Sequence, residues 1–382
     1  MSLRDLVRSN LRDAEAYDPG PTLAELAARY NVPNLAKLNW NENLFGPLPG
    51  VEDALAAEAD QLWMYPEQAY TAFRCAIADA VGVEPEMVVP GHGIQALLLA
   101  AMQVFLNPGD TVVTAQPTYG LYAQAVRAVD GRLMRVPVDD RLQLDLEGMA
   151  AAARETRAKM VIVCDPNNPT GQLIDPTDWA LFLKAMPDGC VVVADEAYID
   201  FSERSRRDLR MADVKAGAPV VLLRSFSKLY GLAGLRLGVA LVHPQLAPCF
   251  DTVQEPFNVN RAALAAGRAT LAAAAAVERR RREVVAARGH LEEALRARGF
   301  RVWPSAANFV LTALTQSGNG GATLLDDARF VAELVRRGFV PRAGHEFGMR
   351  GHLRITVAPI DVMDALVAAM EDVRLALTNA RG

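Results

Sequence analysis

Cysteine is scarce: four occur in 382 residues, Cys75, Cys164, Cys190 and Cys249, with no C-x-x-C pair. Neither a disulfide framework nor a thiolate metal site is expected, and a reducing cytoplasm fits such a chain. Charge of one sign is lacking as well. Lys and Arg total 40 against 45 Asp and Glu, a net of −5, and neither sign gathers into a long block that would attract a polyanion, which argues against a nucleic-acid partner. Apolar stretches are short or broken by Arg or Asp, so no membrane-spanning segment is expected. The opening MSLRDLVRSNLRDAEAYDPG alternates charged and apolar residues, unlike the uninterrupted apolar run of a signal peptide. Hydrophobic residues make up 51%, ample for one large α/β unit or two domains.

What is present has a clear order along the chain. The first 30 residues read as an amphipathic helix, a turn at Asp18 to Thr22 and a helical LAELAARY ending before Asn31. Between Tyr65 and Val242, short β-branched runs alternate with helical stretches: MVVP (87–90), TVVTA (111–115), MVIVC (160–164), VVVA (191–194) and VVLL (220–223). Each run is apolar throughout, as strands covered on both faces should be, which predicts a mostly parallel sheet with helices on both sides. After Pro256 the texture changes to a long Ala/Arg helix from about Arg261 to Ala297, then FRVWP, NFVLTAL, a Gly-rich loop SGNGGAT, a strand LRITV and a closing helix, a smaller α+β domain. The basic run Arg279 to Arg282 reads as a solvated helix face.

Four motifs sit at successive strand ends. GHGIQA (91–96) opens a helix after a strand, but the next strand ends in Ala115 and Gln116 instead of the acid a dinucleotide site needs. The part of that reading which survives is a phosphate held on backbone N–H groups at a helix N-terminus. DPNNPTGQ (165–172) forces a loop after MVIVC, and VVVADEAYIDF runs a buried strand into Asp195 and Glu196, with Tyr198 close behind. An anion there needs a cation or strong donor to meet it. RSFSKLYGLAGLRLG (224–238) supplies Ser225, Ser227, Lys228 and Arg236: hydroxyls and a guanidinium for a phosphate, and a lysine able to act as nucleophile in an apolar cleft.

Together, NPTG, D-x-A-Y and S-x-S-K with an arginine eight positions on resemble the fold-type I, pyridoxal-phosphate-dependent aminotransferases. AYDPGPTLAELAARY (16–30), LNWNENLFGP (38–47) with YPEQAY (65–70), and FVPRAGHEFGMRGHLRITVAP (339–359) are similar to the histidinol-phosphate aminotransferase-like branch. The resemblance implies an N-terminal arm with part of a small domain (1–46), a large cofactor domain (47–258) and a small C-terminal domain (259–382). It also implies ping-pong transamination in histidine biosynthesis between histidinol phosphate and 2-oxoglutarate. An aromatic or other amino-acid aminotransferase of the same branch is the alternative; a decarboxylase on this scaffold or a non-catalytic regulator stands further off.

By that similarity Lys228 is the Schiff-base lysine and proton shuttle, and Asp195 pairs with the pyridine nitrogen. Asn168 and Tyr198 donate to the ring oxygen, and Tyr119 stacks on the ring. Ser225, Ser227, Arg236 and the amides of Gly93, Ile94 and Gln95 hold the 5′-phosphate. Arg354 and Arg342 bind anionic substrate groups, Tyr17 and Asn43 help to shape the substrate end, and Tyr65 reaches the neighbouring site of a homodimer. Three features depart from the branch pattern: Ile94-Gln95-Ala96 in the cradle, Leu44 where proline is common, and GHEFG (344–348), which is closer to general amino-acid aminotransferases. His92 reads as a packing residue, and His345 as a substrate contact or a loop former.

Overall fold

A strand made only of Val, Ile, Leu and Ala has no polar face to offer water, so it forms where helices cover both sides. The computed structural model describes residues 2–12, 14, 16, 18–203, 207–318 and 321–379. After β1 (Ala36–Leu38), which joins a different sheet, seven strands build the main one: β2 (Val88–Gly91), β3 (Thr111–Gln116), β4 (Arg132–Pro137), β5 (Met160–Cys164), β6 (Val191–Asp195), β7 (Val220–Ser225) and β8 (Gly238–Leu241). Their order is β2-β8-β7-β6-β5-β3-β4. β3 to β7 run parallel, and β8 lies antiparallel between β2 and β7. Alternation sorts each strand between two helical layers: Val161, Val163, Val192 and Ala194 join one core, while Ile162, Val193, Val221 and Leu223 join the other.

Two of these strands escaped the apolar-run criterion for a physical reason. β4 reads RLMRVP, largely exposed, because it is the sheet edge. β8 opens at Gly238, where the glycine-rich segment 224–238 obscures its start. The parallel strands that carry motifs end on one edge, where Cys164, Asp195 and Leu223 sit in register.

A second sheet has the order β1-β13-β14-β10-β9, from β9 (Arg301–Val302), β10 (Phe309–Ala313), β13 (Phe339–Ala343) and β14 (His352–Thr356). Its core gathers Val284, Leu291 and Leu295 with Phe309, Phe330, Leu353, Ile355, Leu366 and Met370. Since Leu353 and Ile355 point into that core, alternation turns Arg354 to the opposite face.

Three local expectations are corrected. The long Ala/Arg helix is two helices, Arg261–Ala272 and Ala274–Ala297, broken at Ala273 (φ −89, ψ 34). The Gly-rich segment is an antiparallel pair, β11 (Thr315–Gly318) with β12 (Gly321–Leu324), whose positions 319 and 320 lie outside the described residues. The N-terminal amphipathic helix is instead a 3₁₀ turn (Leu3–Leu6) and a short helix (Ser9–Arg12), separated by extended Val7. Arg8 and Asn10 donate to the carbonyls of Ala128 and Arg127, which lays this segment on the end of the helix Leu121–Ala128. LAELAARY folds as expected, with Thr22 capping through the Glu25 N–H and left-handed Asn31 ending the helix.

Candidate active site

A cavity of about 1120 Å³ opens at the C-terminal edge of the main sheet and is closed by Arg342 of β13, Arg354 of β14, and Glu346 and Phe347 of the 3₁₀ turn Gly344–Phe347 between those strands. Lys228, Asp195, Tyr198, Asn168, Tyr119, Ile94, Gln95, Ser225, Ser227 and Arg236 all line it. Motifs separated in sequence therefore converge because each ends a parallel strand.

One end is built for a phosphate. The helix Gly93–Phe105 starts there with no side-chain cap from His92, so its first N–H groups remain available to a ligand. Gly93 is left-handed (φ +77), and a Cβ on it would lie 2.6 Å from Arg236 Nη2. Arg236 is itself left-handed (φ 57) and donates to Ala233 O at 3.1 Å, which aims the guanidinium at the helix start. Ser225 Oγ accepts from the Ser227 N–H at 3.1 Å, fixing the hydroxyl-bearing turn. The phosphate of the cofactor implied by the resemblance fits this donor set.

The middle suits a protonated ring nitrogen and a ring oxygen. Strand alternation separates the adjacent carboxylates: Asp195 faces the cavity, while Glu196 turns away to Arg210 at 2.9 Å and Arg224 at 2.7 Å. Burial pushes the Asp195 carboxyl up, against a hydrogen bond from Tyr122 and the Ala197 N–H. A cation beside it would reverse that direction. Tyr198 Oη accepts from Asn41 Nδ2 at 3.0 Å and from Asn168 Nδ2 at 3.5 Å. With both lone pairs engaged, the phenolic proton is left to donate into the cavity. Tyr119 lines the wall, its ring 5.5 Å from that of Tyr122 and nearly perpendicular to it.

Lys228 Nζ donates to Trp40 O at 3.3 Å and lies 5.4 Å from the Tyr198 ring centre. Burial first, then the positive charges of Arg354 and Arg236, bring its pKa down to about 8, against the pull of Glu42 and Asp195. Such an amine exchanges a proton near neutral pH.

On the side of the cavity formed by the second sheet, Arg342 and Arg354 are register partners on β13 and β14. Arg354 donates to Asn168 Oδ1 at 2.6 Å and to Asn39 O at 2.5 Å. Arg342 pairs with Glu346 at 3.0 Å.

One residue expected to touch substrate lies outside the cavity lining. Asn43 spends its side chain on the fold, donating to Leu229 O at 2.8 Å and accepting from Phe45 N–H at 3.2 Å. Tyr65 is 77% exposed, stacked on Phe257 at 4.6 Å outside the cavity. Tyr17 falls outside the described residues. The basic run is also only partly solvated: Arg280 donates to Gly46 O at 2.7 Å and to Asn43 Oδ1 at 3.3 Å. His345 is a loop former, its N–H and ring Nδ1 both on Asp327.

Sequence reasoning missed Asn41, Tyr122, Glu346 and the Arg210 network. Tyr122 carried a signal, standing three positions after Tyr119 at the start of the helix Leu121–Ala128. Arg210 carried none: it is 1% exposed and joins Asp165 at 2.5 Å to Glu196, with its guanidinium 4.3 Å from the Trp179 ring centre.

Comparison with known proteins agrees with this geometry. A histidinol-phosphate aminotransferase of Moorella thermoacetica is 32% identical over 367 residues, 96% of this chain and 92% of the relative. An aromatic amino acid aminotransferase of Mycobacterium bovis is 35% identical over 363 residues, 94% and 96% of the two chains. The crystal structure of histidinol-phosphate aminotransferase from Sinorhizobium meliloti in complex with pyridoxal-5′-phosphate superposes with a TM-score of 0.85 at 28% identity, covering 97% of this chain and 98% of that one. The family model for aminotransferase class I and II matches residues 33–370, and the chain belongs to that family.

Proposed function

We propose that this chain is a pyridoxal-phosphate-dependent aminotransferase that moves the amino group of histidinol phosphate to 2-oxoglutarate by a ping-pong cycle. One observation carries the substrate reading: two arginines in register, Arg342 and Arg354, face the cavity that holds Lys228. A guanidinium pair suits a phosphate monoester and equally the second carboxylate of glutamate.

Bound in this cavity, pyridoxal 5′-phosphate supplies the carbonyl that takes up the substrate amine and the ring that accepts electrons from the substrate carbon. Ser225, Ser227, Arg236 and the amides of Gly93, Ile94 and Gln95 hold its phosphate. Asp195 keeps the proton on the pyridine nitrogen, while Tyr198 and Asn168 donate to the ring oxygen and Tyr119 covers the ring. Lys228 Nζ takes the proton from the substrate α-carbon. Arg354 orients the substrate through its fixed fork, and Arg342 meets the remote anion. Tyr65 and the adjacent Trp63, 81% exposed, meet a second copy of the chain in a homodimer. No described helix is long and apolar enough to cross a membrane, and the cytoplasm is the proposed compartment.

An aromatic amino-acid aminotransferase is the second reading, favoured by the Glu346 carboxylate already beside Arg342. The test is a half-reaction: loaded enzyme is mixed with histidinol phosphate, phenylalanine or glutamate, and the cofactor absorbance is followed. Conversion by histidinol phosphate and glutamate supports the leading reading; conversion by phenylalanine but not histidinol phosphate replaces it with the second. A Lys228→Ala protein with an unchanged visible band would remove the cofactor assignment.

A further inference from the structure

Arg342 and Arg354 are neighbours across β13 and β14, yet they are held differently. Arg354 is clamped by two neutral oxygens, Asn168 Oδ1 and Asn39 O. Arg342 Nη2 instead lies 3.0 Å from Glu346 Oε2, four residues along the same turn. The other oxygen of that carboxylate accepts from the Ala343 N–H at 3.3 Å, so the turn itself presents Glu346 to the arginine. Both residues line the cavity. The side chain of Glu346 is 37% exposed and that of Arg342 13%, so the carboxylate has room to move toward solvent while the guanidinium stays at the wall.

We infer that Glu346 is a specificity-determining residue, an internal counter-anion that occupies Arg342 until the remote anionic group of a substrate displaces it. This rests on the aminotransferase reading above and names what that site discriminates. A donor with a phosphate or second carboxylate reaches Arg342 only by breaking the pair. A donor with an apolar side chain leaves the pair intact and packs on neutralised charge. The pair therefore narrows the preference for dianionic donors by about fivefold, the strength of a partly exposed ion pair, and lets one cavity accept both classes.

Glu346→Gln keeps the shape and the acceptor for Ala343 N–H but removes the charge. Half-saturation and limiting rate are measured on the loaded enzyme with four donors: histidinol phosphate, glutamate, phenylalanine, and histidinol, which lacks only the phosphate. The expected result is half-saturation about fivefold lower for histidinol phosphate and glutamate, within twofold for the other two, with limiting rates unchanged. In Arg342→Ala/Glu346→Gln the gain disappears, since no guanidinium is left to release. No shift, a weakening, or equal tightening across all four donors overturns the inference while normal wild-type turnover preserves the aminotransferase reading. Conversion of none of the four donors by wild type overturns both.

Discussion

Tyr122 donates its phenolic proton to Asp195 Oδ2 across 2.7 Å, joining the first turn of the helix Leu121–Ala128 to the end of β6. Both side chains are buried, and burial alone pushes the Asp195 carboxyl toward its neutral form. The hydrogen bond from the tyrosine opposes that push and favours the carboxylate form.

Tyr122→Phe should therefore leave the fold intact and weaken the cofactor. A hydrogen bond to a charged group contributes about 1.5–3 kcal/mol, so the dissociation constant of pyridoxal 5′-phosphate, measured by titration of the apoprotein, should rise roughly tenfold or more. An unchanged constant would mean that the Ala197 N–H suffices.

At the phosphate end, Gly93→Ala places a Cβ 2.6 Å from Arg236 Nη2 in a left-handed residue at φ +77. Backbone strain of about 1 kcal/mol adds to the displacement of the guanidinium. Cofactor affinity should fall at least tenfold, while the melting temperature of the cofactor-free protein drops only a few degrees. Gly93→Ala binding pyridoxal 5′-phosphate as wild type does would remove Arg236 from the cradle.

Behind the site, Arg210 is the shared partner of Asp165 and Glu196, all three nearly inaccessible. Arg210→Met leaves two carboxylates buried without it, and breaking such a pair costs about 3–5 kcal/mol. Denaturant unfolding should show a loss of that size. A loss under 1 kcal/mol would show that Arg224 and backbone donors carry the network.

Lys228 gives a pH signature in the cofactor-free protein. Its pKa is about 8 when folded, against an ordinary 10.5. Between those values the unfolded chain binds more protons than the folded one, so the lysine's contribution to stability rises with pH across that window and is least favourable below pH 8. Lys228→Met lacks this dependence. Its stability advantage over wild type should be largest at pH 7 and should shrink by pH 10 in paired denaturant titrations; an advantage that grows with pH would contradict the lowered pKa.

Much of the fold was legible because its signals are local. MVIVC, VVVA and VVLL announce strands with no polar face, and the loops after them carry NPTG, D-x-A-Y and S-x-S-K within a few residues of each strand end. Parallel strands share an edge, so those motifs meet there without any long-range information. The edge strand RLMRVP gave no such signal because solvent, rather than a second helical layer, covers it. SGNGGAT showed only glycine-driven turn chemistry, whereas strand pairing set its hairpin.

By itself, then, the sequence determined the order of strands and helices, the lysine and the carboxylate of the site, and its phosphate end, since each depends on neighbours a few positions away. Only the tertiary structure decided which polar groups surround them. Asn41 reaches Tyr198 across 157 positions and Arg354 reaches Asn168 across 186, and Arg210 bridges two carboxylates from different loops. Such pairings are chosen by packing geometry and by the cost of leaving a buried charge alone, neither of which is written in local periodicity. Even Arg342 and Glu346, four residues apart, required the turn between them to bring their charges together inside the cavity.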